Sequence, residues 1–296
     1  MTVVSRAAWP TRRSILLGLA GLLATKARAE PVPRKIACLD WALAETMLAL
    51  GAEPVAVVAA ADWPRFVVQP ELPSEIADLG LQQELNFELL AMLRPDLIMI
   101  SPFLGHLKPQ LGRIAPFLEL SVFEDDGAPL AQRELVTRAL SDRLGLRPAA
   151  EAYLAAANAE LDQLAERASR LPPRPVLLAT FVDARHVRVY GGSSLFQNTL
   201  TRLGIENAWP HPVGYFGYDL VGIERLATGA DLQLIAFDPV PPDLMPKLSD
   251  SPLWTRLPFI EAGRFATLPP VLMFGGMPSA LRFARLLVSE LESAAQ

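Results

Sequence analysis

Two segments of the chain follow one plan. Residues 86–100 read Asn-Phe-Glu-Leu-Leu-Ala-Met-Leu-Arg-Pro-Asp-Leu-Ile-Met-Ile, and residues 222–235 read Gly-Ile-Glu-Arg-Leu-Ala-Thr-Gly-Ala-Asp-Leu-Gln-Leu-Ile. In each, an acid (Glu88 or Glu224) opens a short helical stretch, a break follows, and Asp-Leu leads into a strand-like apolar run. An internal echo of this kind constrains the fold to two lobes of one architecture, each presenting an acidic helix start. A two-lobed chain closes on something, so the echo bears on function.

The neighbouring pattern fills in the lobes. Residues 35–39, 55–58 and 97–100 are short apolar runs, and 44–50 reads as a helix stopped by Gly51. The second half repeats this with strands at 175–180 and 232–237 and a helix at 196–203 stopped by Gly204. Strands made of continuous apolar residues and alternating with helices indicate a mainly parallel sheet covered on both faces. The fold class is therefore α/β. Between the halves, residues 148–171 carry an apolar stripe from Ala150 to Leu171, with Pro148 in the first turn and Pro172-Pro173 as a stop. This predicts one amphipathic helix of about six turns. It serves either as a stiff connector, which would keep lobe motion small, or as a core helix of one lobe. The predicted organisation is a leader at 1–29, an N-terminal lobe at 30–145, the helix region at 146–171 and a C-terminal lobe at 172–296.

Ahead of this pattern lies an export signal. Thr11-Arg12-Arg13-Ser14 precedes an apolar run from Ile15 to Leu23 and the A-x-A site Ala27-Arg28-Ala29. The apolar run is too short to span a bilayer. The arginine pair suits the twin-arginine route, with an ordinary Sec signal as the alternative. The mature chain is expected to begin at Glu30, in the periplasm and as a monomer. Losing residues 1–29 removes five basic residues and no acid, so 27 Lys+Arg and 32 Asp+Glu become 22 and 32, a formal charge of −10. That balance argues against nucleic acid, whose phosphates need a basic face. Cys38 is the only cysteine, which excludes an intrachain disulfide, and its apolar surroundings mark it as a small buried hydrophobe.

Catalytic motifs are missing. Gly191-Gly192-Ser193-Ser194-Leu195 lacks the second glycine of a nucleophile elbow, and no phosphate loop or H-E-x-x-H occurs. His106, His186 and His211 have no helical i, i+3 or i, i+4 spacing, so a three-imidazole metal site would need convergence in space. No catalytic residue, metal ligand or cofactor is assigned. Aromatics instead cluster in loops: Trp41 after the first strand, Trp63 and Phe66 after the second, Phe103 after the strand ending at Ile100, then Tyr215, Phe216 and Tyr218 in one Gly-rich loop and Phe274 in another. Loops at the carboxyl ends of strands form the ligand crevice of open α/β sheets. Such aromatics either plug the ends of the lobes or line a mostly apolar cleft.

With these residues in hand, the chain resembles the periplasmic iron(III)-hydroxamate (ferrichrome-type) binding proteins of ABC importers. The resemblance runs through Leu39-Asp40-Trp41…Glu45, Leu48-Ala49-Leu50-Gly51, Asn86-Phe87-Glu88-Leu89-Leu90 and Arg113-Ile114-Ala115-Pro116. It continues in Asp183-Ala184-Arg185-His186, Ser194-Leu195-Phe196-Gln197, Asn207-Ala208-Trp209 and Pro252-Leu253-Trp254. It implies two α/β lobes joined by one long rigid helix, the helical-backbone class III arrangement, with a shallow cleft for a ferric siderophore. Iron would be carried only inside the chelate. The resemblance further implies delivery to an inner-membrane permease docked by one surface acid per lobe, matching Glu88 and Glu224. An acid in a first helical turn also complements the helix dipole, and both roles can coexist. Ferrichrome binders carry an Arg near Gly80-Leu81-Gln82 and a Tyr near Phe103-Leu104; this chain has Gln82 and Leu104 there. The cargo expected is a ferric hydroxamate, with another chelate, haem, a corrinoid, a bare metal ion or a periplasmic enzymatic role as alternatives.

Overall fold

A computed structural model describes residues 31–123, 130–229 and 231–295. The expected signal segment at 1–29 falls outside the described residues. Residues 33–296 make one compact unit. Among the described residues, ten strands form two five-stranded sheets, ordered β3-β2-β1-β4-β5 and β10-β9-β6-β7-β8. The first sheet comprises β1 (Ile36–Cys38), β2 (Ala56–Val57), β3 (Ala77–Asp78), β4 (Leu97–Ile100) and β5 (Phe117–Glu119). All its pairings are parallel. The second comprises β6 (Val176–Phe181), β7 (His186–Tyr190), β8 (Tyr218–Gly222), β9 (Gln233–Phe237) and β10 (Phe265–Leu268). Its β6–β9 and β9–β10 pairings are parallel, while β7 and β8 join antiparallel at one edge.

The period-2 alternation of strand side chains explains why these strands are apolar throughout. Ile36, Cys38, Leu97 and Met99 pack into one core layer, whereas Ala37, Leu39, Ile98 and Ile100 pack into the layer on the opposite face. In the second sheet Val176, Leu178, Ile235 and Phe237 face one layer and Leu177, Ala179, Leu234 and Ala236 the other. The sequence echo has a structural counterpart: β4 lies parallel to β1, and β9 lies parallel to β6. The segments preceding them differ. Glu88 sits in the first turn of the α-helix Phe87–Leu93, but Glu224 sits in a single 3₁₀ turn, Ile223–Leu226. Both acids are exposed.

The long helix runs Arg147–Ser169, two residues short of the predicted end, with Pro148 in its first turn. Its stripe touches both cores. Ala150 packs in the core of the first sheet, Leu154, Ala157, Leu161 and Leu164 pack in that of the second, and Tyr153 contacts both. A second segment also joins the two halves. After β10, Leu272 enters the core of the first sheet, and the C-terminal helix Met277–Ala294 then packs in the core of the second. The linear boundary at 172–296 does not anticipate this return. No described helix is long and apolar enough to cross a membrane.

Candidate ligand cleft

Chain segments leaving the carboxyl ends of the parallel strands converge between the sheets, as open α/β topology dictates. They enclose a cavity of about 450 Å³. Its first wall comes from Asp40 and Trp41 after β1, Asp62 after β2, Gln82 after β3 and Phe103 after β4. The opposing wall comes from Phe216 and Tyr218, and Phe274, which packs against the core of the first sheet, completes the lining. A second concavity of about 280 Å³ adjoins it and shares Trp41, Leu272 and Phe274 with the first. Phe66 lines it on one side and Arg188 on the other.

Ring contacts hold the walls in place. Trp41 stacks on Phe66 at 6.0 Å, and its indole Nε1 donates to the Val58 carbonyl at 2.7 Å. Across the cleft, Phe103 meets Phe216 at 5.9 Å, and Phe216 meets Phe274 at 6.0 Å. Tilted and edge-to-face pairs at such separations are favourable beyond the area they bury. Tyr215 is exposed at the rim, stacked on Phe123 at 6.5 Å and against Phe216 at 5.3 Å.

Eight of the ten predicted binding residues therefore gather at the cleft: Trp41, Phe66, Gln82, Phe103, Phe216, Tyr218 and Phe274 on its walls, and Tyr215 at its rim. Two do not. Trp63 is 1 % exposed, and its Nε1 donates to the Pro70 carbonyl at 2.9 Å, so it braces Trp41 edge-on from within the core. Leu104 is 3 % exposed in the core beneath β4. In both cases a short helical turn decides the matter. The helix Trp63–Phe66 turns Trp63 inward and Phe66 outward, and the 3₁₀ turn Pro102–Leu107 exposes Phe103 and buries Leu104.

The polar groups are few. Asp40 caps the helix Trp41–Ala49, its Oδ1 accepting the Leu43 N–H at 3.1 Å. Desolvation by the surrounding side chains raises its carboxyl above the ordinary value, although part of its surface opens to the cleft. Gln82 Nε2 donates to the Leu39 carbonyl at 3.1 Å. Cys38 is buried, and that burial pushes its thiol well above the ordinary range, consistent with an inert hydrophobe. His186 contacts Asp183, His211 lies against Trp209, and His106 sits in the 3₁₀ turn after β4. Among the described residues no group of three His, Cys, Asp or Glu side chains gathers around a common point. Asp40, Asp62, Leu272 and Arg188 were not anticipated. The signal for Arg188 was available in the alternation of β7, where Val187 and Val189 face the core and His186 and Arg188 face outward.

Two halves built on mainly parallel sheets, a long helix packed against both cores and an aromatic cleft at the strand ends are the architecture of a solute-binding protein. Residues 36–272 match the periplasmic binding protein family, and the chain belongs to that family. It is 36 % identical over 255 residues to the iron(3+)-hydroxamate-binding protein FhuD of Escherichia coli strain K12, covering 86 % of each chain. Its structure superposes with a TM-score of 0.83 on the siderophore-binding protein FhuD of Vibrio cholerae bound to Fe3+-Desferal, at 28 % identity over 89 % of this chain and 99 % of that one. The catecholate-siderophore binding protein VctP of Vibrio cholerae, with a TM-score of 0.66 at 18 % identity over 89 % and 95 % of the two chains, shares the fold.

Proposed function

We propose that this chain is the periplasmic component of an ABC importer that captures a ferric siderophore of hydroxamate type and delivers it to an inner-membrane permease. The observation that carries the reading is the cleft wall itself. Trp41, Phe66 and Phe103 follow strands of the first sheet and Phe216, Tyr218 and Phe274 come from the second half of the chain, and together they line two adjoining concavities that share Trp41 and Phe274. Aromatic surfaces suit a bulky chelate whose periphery is organic and whose iron is already coordinated. The protein then contributes no ligand to iron, and the metal travels only inside the chelate. Membership of the family and the identity to a hydroxamate-binding relative support the cargo class. Glu88 and Glu224, one exposed acid in each half, are read as the permease contacts. The leader at 1–29, with its arginine pair, is read as the export signal.

The test is a titration of the purified mature chain, followed by Trp fluorescence, with ferrichrome, ferric desferrioxamine, a ferric triscatecholate, haem, cobalamin and ferric citrate. Saturable quenching by a ferric hydroxamate is expected. Binding confined to haem or cobalamin would move the cargo to another class on the same fold, and no response to any member refutes the reading.

A further inference from the structure

We propose that Arg188, stacked on Tyr218, is the charged anchor for the iron-ligating oxygens of the cargo, supplied by the wall of the second sheet. This rests on the reading that the cargo is a ferric hydroxamate, whose formal negative charge resides on its hydroxamate oxygens. A cleft for such a chelate needs donors aimed at those oxygens as well as aromatic walls for its periphery. The wall from the first sheet is poorly equipped for this. Its ionisable lining residues are Asp40 and Asp62, which offer acceptors when ionised. The Trp41 indole N–H is committed to the Val58 carbonyl, and the Gln82 amide donates to the Leu39 carbonyl. No Lys or Arg lines that wall.

The opposing wall differs. Arg188 projects from β7 beside the concavity shared by Trp41, Leu272 and Phe274. Its guanidinium carbon stands 5.4 Å from the centre of the Tyr218 ring, and Tyr218 itself lines the larger cavity. A cation–π contact at this distance favours the cation over the ring while its N–H groups can still donate. Among the described residues no carboxylate lies within 4.0 Å of it; Asp238 shares the concavity but forms no ion pair with it. Most of the paired arginines have a different setting: Arg167 with Glu292 and Arg285 with Glu160 tie helices together at the surface. Arg188 instead presents an uncompensated planar cation to the cleft, with the Tyr218 ring as its platform.

The test uses the mature protein, ferric desferrioxamine and the iron-free ligand as probes, and three variants. Arg188→Gln is expected to weaken binding of the ferric chelate by about ten- to a hundred-fold, the scale of one charge-assisted hydrogen-bonded contact, and to reduce the preference for the ferric over the iron-free form. Arg188→Lys should recover part of the loss, since it restores charge without the planar fork. Arg185→Gln, a nearby arginine outside both concavities, should bind as wild type. The exposure of Arg188 predicts unfolding temperatures close to wild type for all three, and a Lys variant of wild-type stability keeps the comparison valid if the Gln variant is destabilised. Wild-type affinity in Arg188→Gln overturns the anchor and leaves the cargo class standing. Failure of the wild-type protein to bind any ferric hydroxamate overturns both.

Discussion

Glu45 Oε2 accepts a hydrogen bond from Ser279 Oγ at 2.7 Å, joining side chains 234 residues apart in the chain. Glu45 belongs to the helix that opens the first half and Ser279 to the first turn of the C-terminal helix. The other carboxylate oxygen accepts the Gly276 N–H at 2.5 Å, and Arg133 Nε donates to the Gly275 carbonyl at 2.8 Å. All of this lies immediately after Phe274, so a buried polar cluster sets the backbone that presents one aromatic wall of the cleft.

Burial raises the Glu45 carboxyl from 4.5 to about 7, opposed by the Ser279 and Gly276 hydrogen bonds and by the charge of Arg133. Between about pH 4.5 and pH 7 the folded protein therefore holds a proton that the unfolded chain has released. The stability this group contributes is full below that window and is lost as pH rises through it. Glu45→Gln mimics the protonated acid, with its amide able to donate to Ser279 and its carbonyl to accept from Gly276. Denaturant unfolding at several pH values should show the variant gaining on wild type as pH rises, by at most about 1.4 kcal/mol per pH unit. Parallel pH curves for the two proteins would contradict this assignment.

Gly275 has no room for a side chain. A Cβ there would stand 2.2 Å from Ser279 Oγ and 2.7 Å from Glu45 Oε1. Gly275→Ala should destabilise the protein by about 1–3 kcal/mol, the usual range for overpacking. It should also weaken chelate binding through displacement of Phe274, and calorimetry together with a ligand titration reads both effects.

Trp41 and Trp63 touch at 6.2 Å yet have different duties. Trp41 faces the cleft, so Trp41→Ala should weaken binding of a ferric hydroxamate about ten-fold or more, as loss of an aromatic anchor does. Trp63→Phe removes a hydrogen bond in the core and should lower stability by about 1 kcal/mol while leaving affinity within about two-fold. Equal losses of affinity in the two variants would place Trp63 in the site after all.

Glu88 and Glu224 lie outside both concavities lining the cleft. The double charge reversal Glu88→Lys, Glu224→Lys should abolish uptake in cells while the purified protein binds chelate as wild type. Repulsion from a positively charged permease surface is the expected cause. A matching fall in chelate affinity would show that the acids act on the cleft and not on the membrane partner.

Much of this architecture is local and was legible in the residues. Continuous apolar strands such as Leu97–Ile100 can only be buried on both faces, and the glycines at 51 and 204, both at positive φ, end helices where the sequence places them. The alternation in His186-Val187-Arg188-Val189 is a local strand signal, but its antiparallel pairing with β8 is not, because a helix and a long loop separate the two strands. Nor could spacing separate Trp63 from Phe66 or Phe103 from Leu104, since single helical turns orient those pairs.

By itself the sequence determined the two α/β halves, the existence and extent of the long amphipathic helix and the aromatic character of the loops, because burial and backbone propensity act over a few residues at a time. Only the tertiary structure decided which aromatics face the cleft and that Leu272 and Phe274 return to the first half. It alone placed Glu45 against Ser279 and brought Arg188 over Tyr218. Those relationships depend on the packing of segments far apart in the chain, and no local pattern encodes the distance between them.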